Sequence, residues 1–225
     1  MNITMLGYGE KIEVRGVELN VTVNGEKVDI DMVEMEILGD YLIKLKEEQF
    51  SQKEFVASLI VNGEKILESR HDEVLQRPLA EVESLVIETD TPVSVSLRTL
   101  SKTDEFIQAM LTLIEESADK FRLEDESIAN QHFIRVVDGL QTFVDVLTKL
   151  KSLNNLDLTK IIVDGEPASK REGALLELFN GLHESQVNKD WITLADLLEY
   201  ELAANISEWR EIFVAMGDEI QKQNN

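Results

Sequence analysis

Residues 17–30 read Val17-Glu18-Leu19-Asn20-Val21-Thr22-Val23-Asn24-Gly25-Glu26-Lys27-Val28-Asp29-Ile30. Apolar and polar side chains alternate up to Val23 and again from Glu26, the period of a strand with one buried face. Asn24-Gly25 separates the two runs. A type I′ turn needs positive φ at both central positions, and Asn-Gly meets that demand, so the stretch specifies a β-hairpin.

Upstream, Glu10-Lys11-Ile12-Glu13-Val14-Arg15 alternates in the same way and ends at Gly16. Downstream the period changes. Val33, Ile37, Leu38, Tyr41, Leu42 and Leu45 fall on one helical face, which predicts a helix from Val33 to about Glu48. Phe55 to Val61 reads as a strand that runs into a second turn, Asn62-Gly63-Glu64-Lys65, and Ile66. Pro78 blocks a helix through its neighbourhood. Ser84–Thr89 and Val93–Leu97 each read as strands, separated by the turn Asp90-Thr91-Pro92.

The order of hairpin, helix, strand, turn and strand, carried by Leu59-Ile60-Val61-Asn62-Gly63-Glu64-Lys65-Ile66 and then Leu85-Val86-Ile87, resembles the β-grasp layout of ubiquitin-like domains over roughly residues 17–88. The resemblance is one of topology and implies a fold alone. No di-glycine ends the chain, so conjugation chemistry is not implied. The phrase Val-Asn-Gly-Glu-Lys occurs at 23–27 and again at 61–65, and Val-Asp-Gly-Glu recurs at 163–166. The flanking residues do not match. Convergence on tight-turn chemistry explains the copies better than duplication does.

From about residue 101 the pattern is helical. Ser101-Lys102-Thr103-Asp104 and Ser169-x-x-Glu172 have capping-box spacing, and Leu123-Glu124-Asp125-Glu126 reads as a helix start. Stripes follow at Phe106, Met110, Leu113, Ile114, Ser117 and Phe121, then at Phe133, Val136, Val137, Leu140, Val144, Leu147 and Leu150. A third runs through Leu175, Leu176, Leu178, Phe179 and Leu182. The fourth runs from Trp191 to Met216, as one long helix or two joined near Asn205. The partly apolar link at 152–168 is expected to pack on these helices as extended chain. The expected fold is α+β: a small mixed β domain at 1–100, β-grasp-like in layout, then an up-and-down four-helix-type bundle at 101–225.

Composition narrows the function classes. The 225 residues include 44 acids against 22 bases, a net charge of −22, and no cysteine. The acid is spread over both halves and forms no tail. Such a field repels phosphate backbones and anionic membrane surfaces, so neither nucleic acid nor membrane is an expected partner. The start lacks a basic n-region and an apolar h-region, so no signal peptide is expected and the cytoplasm is the default compartment. Thiolate chemistry and disulfides are excluded.

Catalytic signatures are equally sparse. Histidine occurs at His71, His132 and His183; Glu68-Ser69-Arg70-His71 is a single Glu-x-x-His, where di-iron bundles need two such motifs. Adjacent acids such as Glu115-Glu116 carry little information in so acidic a chain. Gly7-Tyr8-Gly9 lacks the third glycine of a dinucleotide loop. No catalytic, cofactor or metal site is expected. The broad apolar run holding Trp191, Leu194, Leu198, Leu202 and Trp209 is the candidate partner-binding surface. The expected function is a non-enzymatic protein-interaction module (an adaptor, regulator or export-chaperone-like subunit) with a basic or amphipathic-helical protein partner; a homo-oligomer remains open. The alternatives are an enzyme with a carboxylate-based site between the domains and an acidic nucleic-acid mimic.

Overall fold

A computed structural model describes residues 19–31 and 35–224. The strand at Glu10–Arg15, the Gly7-Tyr8-Gly9 segment, the first residues of the 17–23 run and the proposed helix start at Val33 lie outside the described residues. The chain is α+β, with a five-stranded mixed sheet in the N-terminal unit and a mostly helical C-terminal unit that begins at Pro92.

In the N-terminal unit, β1 (Asn20–Val23) and β2 (Glu26–Val28) pair antiparallel. Asn24 has φ 51° and Gly25 φ 83°, the double positive φ that the I′ turn demands. Then come α1 (Leu38–Gln49), β3 (Phe55–Val61), β4 (Glu64–Lys65), a short α2 (His71–Leu75) and β5 (Ser84–Asp90). The strand order is β2-β1-β5-β3-β4, with β1 parallel to β5 and the other pairs antiparallel.

Cross-strand rows explain the core. Val21, Leu85 and Val61 stand side by side, and Val23, Ile87 and Leu59 form the next row on the same face. Leu38, Tyr41 and Leu45, spaced three and four apart on one face of α1, are buried in the same cluster. Each such side chain contributes about 1.5–3 kcal/mol by leaving water.

Both Asn-Gly turns are also anchors for β5. Asn24 Oδ1 accepts from the Thr89 amide at 2.8 Å, and its Nδ2 donates to Thr89 Oγ1 at 2.8 Å. Asn62 Oδ1 accepts from the amides of Glu83 at 2.8 Å and Ser84 at 3.1 Å, while its Nδ2 donates to the Glu81 carbonyl at 2.9 Å. One turn holds the end of β5 and the other its start.

The C-terminal unit holds α3 (Pro92–Leu100), α4 (Thr103–Leu123), α5 (Glu126–Asn154), α6 (Ala168–Val187), α7 (Trp191–Asp196) and α8 (Ala203–Gln223). The strand expected at Val93–Leu97 is therefore helix α3. Five residues satisfy either period, and here Pro92 at the first helical position and the 93/97/100 apolar spacing win. Val93, Leu97 and Leu100 pack on the helical core. Buried Ser96 Oγ accepts from Asn154 Nδ2 at 2.7 Å, tying α3 to the end of α5.

Neither capping box forms. Ser101 Oγ donates back to the Arg98 carbonyl at 2.8 Å, closing α3 instead of opening α4. Glu172 pairs with Lys151 instead of reaching back to its own helix start. In the stretch read as one helix start, α4 ends at Leu123, and Asp125 caps α5 by accepting from the amides of Ser127 and Ile128. Helix α5 ends at Asn155, whose φ of 49° is left-handed.

The link after α5 makes a small hairpin, β6 (Ile162–Val163) with β7 (Glu166–Pro167), around Asp164-Gly165 at φ 52° and 79°. Its Leu156, Leu158 and Ile161 join the helical core. No break occurs at Asn205. The irregularity lies earlier, where Leu197–Leu202 wind as a π-helical turn that joins α7 to α8 and the Ala203 amide donates to the Leu198 carbonyl.

Candidate functional site

Leu194, Leu198, Leu202 and Trp209 are 0% exposed, with Phe143 edge-on to the Trp209 ring at 5.2 Å. Trp191 is half-buried and stacks on Phe121 of α4, ring centroids 5.3 Å apart. The five residues singled out from sequence thus spend their apolar surface inside the helical unit, where the burial of four of them leaves no face to offer. His71 opens α2. Among the described residues, no group of three His, Asp or Glu side chains is arranged to hold a metal ion, and no helix is long and apolar enough to cross a membrane.

An open apolar surface lies between α5 and α6. Helix α5 packs on α3 and α4, whereas α6 packs on α7, the π turn and α8. A groove of about 440 Å³ remains between the two, floored by Phe133, Leu140 and Leu182 and walled by Val137, Val144 and Phe179. Ile134 is 59% exposed and Val137 46%. On α6, Leu176 (58% exposed) precedes the lining residue Phe179 by three residues, and Val187 (62%) follows the lining residue His183 by four, which puts each on the helix face next to a lining side chain. The α5 side, Phe133 to Val144, spans about three helical turns, roughly 16 Å. Val137 and Leu176 belong to the apolar stripes of α5 and α6 and widen them sideways; that excess width is the signal the sequence carries.

Ion pairs close both ends of the channel. Lys151 Nζ in the last turn of α5 meets Glu172 in the first turns of α6 at 2.7 Å, and Lys189 Nζ just beyond α6 meets Glu126 at the start of α5 at 2.9 Å. These pairings require α5 and α6 to run antiparallel. The lining itself contains no Asp, Glu, Lys or Arg, only Gln141, His183 and Gln186 as polar members. Gln141 Nε2 donates to Asp145 Oδ1 at 3.0 Å, which sets that carboxylate on the rim.

Away from the groove, charge is spent on holding helices together. Arg122 of α4 is clamped by Asp196 at 2.7 Å and by Glu199 of the π turn, and it lies over the Tyr200 ring. Hydrogen bonds to these two carboxylates push the guanidinium pKa still higher. Asp190 caps α7 by accepting from the Thr193 amide and hydroxyl, and these bonds hold its carboxyl below the usual range. Arg171 of α6 pairs with Glu208 of α8 at 2.5 Å. Arg171 and Glu208 also line a polar cleft of about 380 Å³ with Glu166, Ser207, Arg210 and Glu211.

The family model described as a domain of unknown function (DUF8042) matches residues 98–212, just over half of the chain. A second model, the TP0873 N-terminal domain, matches residues 19–91. The chain is 24% identical over 195 residues to a Treponema pallidum (strain Nichols) protein described as an uncharacterized protein; the match covers 82% of this chain and 91% of that one. No solved structure matches.

Proposed function

The chain belongs to the DUF8042 family, and we propose that it is a non-enzymatic protein-interaction module whose helical unit receives an amphipathic helix of a partner protein between α5 and α6. The α5–α6 groove is the observation that carries this reading: an uncharged, partly exposed apolar channel three turns long in a chain where 44 of 225 residues are acidic. Helices that dock in grooves present anchors at i, i+3 or i+4 and i+7, and a channel of this length accommodates such a set. On this reading α4, α5, α6 and the joined α7–α8 segment act as a four-helix-type bundle left open along one edge. The order β2-β1-β5-β3-β4 supports a β-grasp-like scaffold for the N-terminal unit. A charge of −22 disfavours a second copy and favours a basic partner.

The test compares the full chain with Val137→Glu and Leu176→Glu as bait in lysate of the source cell. Val214→Glu, at a position 67% exposed on α8, is the control. A stoichiometric protein held by the wild type and the control, lost from both groove variants at unchanged melting temperature, supports the proposal. The same protein held equally by all four baits, or by none, overturns it.

A further inference from the structure

The two walls of the groove differ in charge, and the difference specifies its occupant more closely than the apolar floor does. On the α5 side, Asp138 directly follows Val137 and lies four residues beyond Ile134, while Asp145 is bound to the groove residue Gln141. Both carboxylates are exposed. Seven residues separate them, so they stand on one stripe of α5, two turns or about 10.5 Å apart. On α6 the lining is Phe179, Leu182, His183 and Gln186, with exposed Leu176, Asn180 and Val187 on the flank beside them, and none of these is Asp, Glu, Lys or Arg. Arg135, three residues before Asp138, and Lys149, four residues beyond Asp145, are the exposed cations of α5 beside the pair.

Resting on the groove reading above, we infer that the occupant is a cationic amphipathic helix carrying two Lys or Arg side chains seven residues apart on its α5-facing flank. Its α6-facing flank is apolar and covers Leu176 and Val187. The two carboxylates fix which flank faces α5, because the reversed placement would set cations against Leu176 and Val187 and leave the acids unmatched. The whole-chain charge of −22 adds attraction at longer range. The two are separable, because long-range attraction fades with salt while a contact at the groove edge depends on the spacing of the charges.

Three labelled 18-residue helical peptides with one shared apolar face serve as probes, titrated by fluorescence anisotropy against the full chain. One carries Lys at i and i+7 on a single flank, one carries Gln there, and one carries the same two lysines at i and i+1. The expected result is tightest binding by the i, i+7 peptide. The double variant Asp138→Asn/Asp145→Asn, both exposed changes that leave folding intact by circular dichroism, weakens that peptide roughly 5- to 10-fold, as exposed ion pairs of this kind allow, and leaves the Gln peptide unchanged. Equal binding of the two lysine peptides, or no effect of the double variant, overturns the inference while leaving the groove standing, provided Val137→Glu still abolishes binding. Failure of every peptide to bind, or indifference of all three to Val137→Glu, overturns both.

Discussion

Trp209 Nε1 donates to Asn205 Oδ1 at 3.2 Å, one turn earlier on α8, and Asn205 in turn directs its Nδ2 to the Arg171 carbonyl of α6 at 3.4 Å. The indole lies in the centre of the helical core, so its N–H has no access to water. Replacing Asn205 by Ala strands that donor, which costs about 1–3 kcal/mol. Urea denaturation should show the midpoint fall with an unchanged slope. Trp209→Phe in the Asn205→Ala background should recover part of the loss, since no donor is then left behind.

Ser117 makes the opposite case. Its hydroxyl is fully buried in α4 and finds no hydrogen-bond partner among the described residues, nor does the buried His132 Nδ1 in α5. A Cβ at Gly139 would overlap Met110 Sδ, so Met110 faces Gly139 across the α4–α5 contact. Ser117→Ala removes an unsatisfied hydroxyl from a helix interior and should stabilise the protein by about 1 kcal/mol. Thermal melting checks it. A fall in melting temperature would overturn the prediction.

Asn62 holds three hydrogen bonds to the start of β5 and sits at φ 51°. Asn62→Ala removes all three and places a side chain without local bonding in the left-handed region, a loss of about 3 kcal/mol from roughly 1 kcal/mol per bond and strain of similar size, less what water restores. Asn62→Asp keeps the acceptor and loses only the donor to the Glu81 carbonyl, so it should cost less than half as much. Amide exchange at Glu83 and Ser84 reports the effect locally.

The Tyr41 phenol is buried under the sheet, and burial, reinforced by the carboxylates of Asp29 and Glu48, pushes its pKa up to about 12 from the ordinary 10. Below pH 10 the phenol is neutral in both folded and unfolded chains and its contribution is intact. Between pH 10 and 12 the unfolded chain ionises first, so stability drains away as pH rises through that window. Unfolding of the N-terminal unit followed at pH 8 and pH 11 should show the loss, and Tyr41→Phe should abolish this part of the alkaline sensitivity.

The Asn-Gly hairpin could be read from sequence because its chemistry is local: two positive φ angles and two alternating runs. The same locality failed at Val93–Leu97, where five residues fit both periods and contacts with distant Asn154 and the core decide for helix. The side chains of Asn24 and Asn62 show another limit. Their turn role was legible, but the hydrogen bonds to β5 and its approach join residues nineteen or more positions apart. The Trp191–Trp209 stripe was legible as apolar, yet a stripe does not say whether it faces the interior or a partner. Ile134, Val137, Leu176 and Val187 stood as plainly in the sequence, but only the placement of α5 beside α6 leaves them open.

A helix that closes hydrogen bonds five residues back holds one residue more than the same length of α-helix needs, and the π turn at Leu197–Leu202 is such a surplus. A single-residue insertion into an α-helix leaves such a bulge, and here Arg122 grips Asp196 and Glu199 beside it. Aligned relatives that lack the clamp should therefore carry a one-residue gap between 197 and 202, and trimming one residue there should straighten the helix without renumbering the contacts on either side.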